Sequence, residues 1–198
     1  MGTWLACSKQ GRVAFLTNVL ELHTLPEVKS RGDLPVLFLK SRKQPKEFAE
    51  SLKSEAHYYN GFNLIVADIK SKSMVYISNR PKGQPITIQE VPSGLHVLSN
   101  DSLDSPWHKV LRLELSFKEH VGKYGEGEIP VRQGLYGTRS SAALTVRSSG
   151  KASFYELYLD DTKWKEHVID FHIGNLNYTC KDYINYEAIL TDEVARQK

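Results

Sequence analysis

The chain has 198 residues, 40% hydrophobic and 25% charged, the composition of one soluble globular domain around a single core. Its net charge of +3 comes from 26 basic and 23 acidic residues interleaved along the sequence, so no single-sign block advertises a nucleic acid or other polyanionic partner. Only Cys7 and Cys180 are present, far apart and without metal-ligand spacing, and no apolar run approaches the roughly 18 residues of a membrane helix; a disulfide framework, a zinc site and a transmembrane segment are excluded on these grounds. The first ten residues lack the basic start and long apolar core of a secretory signal, and a reducing compartment is expected.

In chain order, Trp4 to Cys7 and Val13 to Thr17 are short apolar segments split by a polar stretch with Gly11, which predicts a hairpin. Asp33 is placed to cap a short helix with Pro35 in its first turn, where a missing amide hydrogen costs nothing. Pro45 opens a second helix. Phe48, Leu52, Ala56 and Tyr59 recur at helical spacing, with Glu47, Glu50, Lys53 and Glu55 left for the wet side.

From Phe62 the period shortens. Leu64 to Ile69 and Met74 to Ile77 predict a hairpin, and Ile86 to Val91 and Leu95 to Leu98 predict two further strands across Pro92-Ser93-Gly94. A longer helix is predicted from about Pro106 to Tyr124, with Trp107, Val110, Leu113, Phe117, Val121 and Tyr124 on its buried face and Gly125 as its stop. Ala142 to Arg147 and Ala152 to Leu159 flank a Ser-Ser-Gly-Lys turn, a last strand spans His167 to Ile173, and the tail from Asn175 reads as poorly ordered or as one marginal helix. Strands outnumber helices and join mostly through hairpins, which argues for an α+β layered domain.

Phosphate-loop, dinucleotide, paired-histidine and serine-elbow signatures are absent. His167 and His172 differ by an odd number on one strand, so they face opposite sides and do not share a metal. What stands out is a set of polar clusters at strand ends: Thr17-Asn18, Tyr59 to Asn63, Ser78 to Pro81, Leu98-Ser99-Asn100, Ser105-Pro106-Trp107 and Tyr136 to Ser140. Residue type allows two readings. One is turn chemistry, in which asparagine and glycine accept left-handed backbone and cap elements. The other is a rim of amide and guanidinium donors around a cleft, the arrangement that stabilises an oxyanion in acyl transfer.

These clusters, with Gly2 to Leu5, Gly11 to Asn18, Ser30-Arg31-Gly32 and Gly94 to Asn100, together resemble the transport and Golgi organisation family of NRDE type, in its plant-like form. The resemblance runs from Gly2 to about Ile173. It implies an N-terminal-nucleophile-hydrolase-like fold, two antiparallel sheets stacked between helical layers. By the same resemblance Asn18 is the oxyanion-hole contributor, Asn100 matches the asparagine of a Leu-Thr-Asn phrase, and Arg139 matches an arginine that polarises the nucleophile.

Three departures accompany the resemblance. Relatives open with a strand bearing a cysteine and the Asn-Arg-Asp-Glu phrase, whereas here Gly2 follows Met1 and Cys7 sits inside a predicted strand, so family-type catalysis by this chain is not expected. At Arg132 to Leu135 a longer segment of the relatives is bypassed, and the tail from Gly174 does not look like a family ending. The expectation is therefore an incomplete αββα sandwich over residues 1–173 with a divergent tail over 174–198, a truncated isoform or fragment of marginal stability.

The function expected by resemblance is that of a non-catalytic family member in Golgi organisation and protein secretion, with haem or lipid as cargo. The residues add nothing for haem, since neither cysteine is followed by proline and no histidine stands out as an axial ligand. No cofactor is expected, the partner is a small-molecule or acyl ligand, and the place is the cytoplasm with Golgi association. The alternatives are an amidohydrolase of linear amides, active in a longer form that carries the N-terminal cysteine, and a product without independent function.

Overall fold

A computed structural model describes residues 3–19, 21, 28–106, 111, 115, 138–174 and 191–194. The chain divides into two units, Met1–Ser116 and Phe117–Lys198.

The first unit is built on a five-stranded antiparallel sheet in sequential order: β1 (Leu5–Cys7), β2 (Arg12–Asn18), β3 (Phe62–Asp68), β4 (Ser73–Ser78) and β5 (Thr87–Glu90). Gly11, at φ 88°, supplies the left-handed residue that the β1–β2 turn needs. Register sets Phe15, Ile65 and Tyr76 side by side, with Thr17, Asn63 and Ser78 in the neighbouring row of the same face. Two helices, α1 (Asp33–Lys40) and α2 (Pro45–Ser51), pack on the opposite face. There Leu34, Phe38, Phe48 and Leu52 meet Ala14, Leu16, Leu64, Val66, Val75 and Ile77 in one buried cluster. β3 is buried on both faces apart from its last residue, which makes it the centre of the unit.

The first helix begins differently from the sequence reading, whereas the second opens at Pro45 as read. Gly32 is the N-cap of α1, and Asp33 occupies the first turn instead, where its carboxylate complements the helix dipole. α2 opens with a reciprocal capping box between Gln44 and Glu47, with Pro45 just inside it. Phe48, Leu52, Ala56 and Tyr59 are all buried, but α2 ends at Ser51 and Ala56 belongs to a separate 3-10 turn, Ala56–Tyr58. Asn79 draws the chain out of the helix by donating to the carbonyls of Ala56 and Tyr59 at 3.0 and 3.2 Å.

Leu95 to Leu98 is not a strand. Its backbone is satisfied within a loop, Val97 N donating to the Asp104 carboxylate at 2.8 Å and Asp104 N donating back to the Val97 carbonyl at 2.8 Å. Of the helix expected over 106–124, positions 106, 111 and 115 are described; Pro106 lies outside the helix, whereas 111 and 115 are helical and exposed, which agrees with their place off the predicted buried face. The six residues of its predicted apolar stripe lie outside the described residues.

The second unit carries a four-stranded antiparallel sheet, formed by β6 (Thr138–Val146), β7 (Lys151–Asp160), β8 (Lys163–His172) and β9 (Thr191–Val194) in the order β8-β7-β6-β9. β8 starts at Lys163, earlier than the apolar pattern indicates, because its first residues are charged and exposed. Within the tail expected to be disordered or helical, Thr191–Val194 pairs with β6, an outcome of tertiary pairing that local composition does not report. Among the described residues no helix is long and apolar enough to cross a membrane.

Candidate functional site

Where β2 ends and β3 begins, a cleft of about 410 Å³ opens between Thr3, Trp4, Asn18, Asn60 and residues 28–32. Its walls are tied together through the backbone. Thr3 N donates to the Gly32 carbonyl at 2.9 Å and Leu16 N to the Trp4 carbonyl at 2.8 Å, which fixes the segment ahead of β1 against both β2 and the loop before α1. Lys29 N donates to Tyr58 O at 2.9 Å, and the Arg31 guanidinium reaches the Gly61 carbonyl at 2.8 Å.

Asn18 is the last residue of β2, opposite Phe62. Its Oδ1 is buried without a hydrogen-bond partner among the described residues. Other amides of the same region are fully engaged. Asn79 Oδ1 accepts from Phe62 N at 2.9 Å, and its Nδ2 serves the carbonyls that close the 3-10 turn. Asn63 Nδ2 donates to the carbonyls of Asp101 and Ser99 at 2.5 and 3.3 Å, and its Oδ1 accepts from the Tyr76 hydroxyl at 2.8 Å. Burial pushes the Tyr76 phenol above its ordinary range, so it remains a donor.

Asn100 Nδ2 donates to the Asn18 backbone carbonyl at 2.8 Å, and Thr17 Oγ1 to the Ser99 carbonyl at 2.7 Å. The structure thus brings Asn18 and Asn100 together, with Asn100 holding the strand end rather than presenting its amide beside that of Asn18. Arg139 lies on β6 of the second unit. A further brace stands beside the cleft: Glu21 accepts from Gly61 N at 2.6 Å and from Arg80 Nε at 2.6 Å, with both side chains about 15% exposed.

Lys29 and Arg31 stand in the cleft wall, with no acidic residue among the lining groups. A hydrogen bond from Lys29 Nζ to Glu55 at 2.7 Å raises the lysine above its ordinary range and keeps it charged. Cys7, on β1, is not part of this lining, and burial raises its thiol above the ordinary value. Trp4, Arg31 and Asn60 were visible in the sequence only as members of short phrases, and Lys29 was not singled out; that they share one cleft with Asn18 depends on contacts between distant segments. No group of three or more His, Cys, Asp or Glu able to hold a metal ion is found among the described residues.

A family model described as Transport and Golgi organisation 2 matches residues 1–133, about two thirds of the chain, and takes in every residue lining the cleft. The chain belongs to the Transport and Golgi organisation 2 family. It is similar to the Transport and Golgi organization 2 homolog of Mus musculus, 28% identical over 217 residues covering 86% of this chain and 78% of that protein. The Bos taurus protein of corresponding name is 28% identical over 219 residues, covering 87% and 78%, and the Homo sapiens one 37% over 123 residues, covering 61% and 44%. An aligned stretch of 217 positions that takes in 86% of 198 residues leaves internal residues of the murine Transport and Golgi organisation 2 relative without a counterpart here. The family match ends at residue 133, inside the Arg132 to Leu135 stretch where a bypassed segment was expected, and Arg139 lies beyond it.

Proposed function

We propose that this chain is a binding rather than a catalytic member of its family, and that the cleft at the end of β2 takes a small acyl ligand, a carboxylate or a linear amide. The observation that carries this is Asn18, which stands in the cleft wall beside Lys29 and Arg31 with its Oδ1 buried and unpartnered among the described residues. An amide offers one acceptor and two donors, so it matches a ligand amide or carboxylate, while Trp4 supplies apolar surface for an acyl chain. Non-catalytic action is supported by Cys7, whose thiol is shifted by burial away from the thiolate that nucleophilic attack requires.

Roles in Golgi organisation and secretion, with lipid or haem as the handled cargo, belong to the same proposal, as do a cytoplasmic place with Golgi association and a layered αββα arrangement. The family membership and the two antiparallel sheets support them. Calorimetric titration with octanoate and octanamide tests the binding reading. Saturable binding is expected, weakened about tenfold by Asn18→Ala, the worth of one net hydrogen bond. Absence of binding, or equal binding by the variant, sinks it.

A second reading follows from Thr3 and Trp4 lining the cleft. A longer form with a cysteine ahead of this segment would carry its nucleophile toward Asn18, and hydrolysis of octanamide by that form is the result that would establish an amidohydrolase.

A further inference from the structure

We infer that His96 is a positioning residue for the cleft, a proton-operated clasp on the loop that brings Ser99 and Asn100 against the end of β2; its functional part rests on the cleft being the binding site proposed above. His96 Nδ1 lies 2.7 Å from Asp104 Oδ2, and Nε2 lies 3.0 Å from the Pro92 carbonyl oxygen. A carboxylate and a peptide carbonyl both accept hydrogen bonds, so the two are served at once only by an imidazolium, which carries an N–H on each nitrogen. A neutral ring, in either tautomer, serves one.

The clasp is joined to the cleft through Asp104. Its other carboxylate oxygen accepts from Val97 N at 2.8 Å, while its own amide donates to the Val97 carbonyl at 2.8 Å, closing residues 97–104 into a loop. Asp104 holds φ at 54°, a left-handed conformation that costs an ordinary residue energy and is sustained here by these bonds. The other side of the loop is the part that meets the sheet: Ser99 O accepts from Thr17 Oγ1 and from Asn63, Asp101 O accepts from Asn63, and Asn100 Nδ2 donates to Asn18 O.

Among the described residues Asp104 is the charged partner of the ring and the Pro92 carbonyl its other hydrogen-bond partner, and a Cβ placed on Gly94 would lie 3.8 Å from Nε2. The loop's other acid, Asp101, gives its backbone carbonyl to Asn63. The sign follows directly. The clasp is complete below the pH at which the ring gives up its proton and slackens above it, where one bond is lost and the carboxylate's hold on Val97 weakens with it.

Nuclear magnetic resonance of the full chain across pH 5 to 8.5 tests this, following the His96 ring nitrogens, the Val97 and Asp104 amides and the Asn100 side-chain amide. The expected result is a common midpoint for ring and loop signals, with Val97 amide protection falling about tenfold beyond the intrinsic exchange trend. His96→Gln should be flat over the same range. Loop signals that stay fixed while the ring titrates, or that move equally in His96→Gln, overturn the clasp, and the first of these needs no variant to fold. Octanamide affinity at the two ends of the titration separates the claims. Asn18-dependent binding that ignores pH removes the clasp's role and leaves the cleft standing, whereas a titrating loop with no binding at any pH removes the cleft.

Discussion

Asn18 and Asn79 carry the same side chain and meet opposite fates. Asn79 is buried and spends both ends of its amide on the chain reversal from the 3-10 turn into β3. Truncating it removes the partner of the Phe62 N–H and a donor to the carbonyls of Ala56, Tyr59 and Asn60, so Asn79→Ala should lower stability by about 2–4 kcal/mol in urea unfolding. Asn18→Ala, in contrast, removes a buried oxygen that has no partner and should stay within about 1 kcal/mol of the parent chain. Equal losses for the two would mean that Asn18 is structural as well. Asn79 thus follows the turn reading of the polar clusters, and Asn18 is the residue on which the proposed rim reading rests.

At the level of elements, charged side chains and single glycines decide where segments stop. Arg12 lies over the Phe38 ring, 3.9 Å from its centroid, and donates to the carbonyls of Phe38 and Lys43 at 3.1 and 2.8 Å, closing the C-terminal end of α1 from a neighbouring strand. Between β6 and β7, Gly150 sits at φ 87°, and a Cβ there would come within 2.7 Å of the Ile173 carbonyl oxygen and 2.9 Å of the His172 ring. Gly150 N also donates to Arg147 O at 2.8 Å, and its carbonyl accepts from Ile173 N at 2.8 Å, so the turn also seats the end of β8. Gly150→Ala should therefore cost about 2–3 kcal/mol, read as a lowered thermal midpoint. An unchanged midpoint would show that the turn relaxes freely.

Across the whole molecule, protection should follow burial rather than strand length. β3 is covered on both faces and has neighbours on both edges, whereas β8 is an edge strand with Val168 and Ile169 about half exposed. Hydrogen exchange should be slowest in Phe62–Asp68 and markedly faster in Lys163–His172 despite its ten residues. The reverse order would place the stable centre in the second sheet. The sequence by itself determined the alternation of β1 to β4, the glycine turns and the family phrases, because periodicity and backbone freedom are properties of neighbours along the chain. Tertiary structure alone decided that Leu95 to Leu98 leaves the sheet for a side-chain-satisfied loop, that Thr191–Val194 pairs with β6, and that Asn18 keeps an unpartnered Oδ1 among the described residues while Asn63 is consumed by Ser99 and Asp101. Each outcome depends on which distant donor or acceptor arrives, and the local pattern does not encode that arrival.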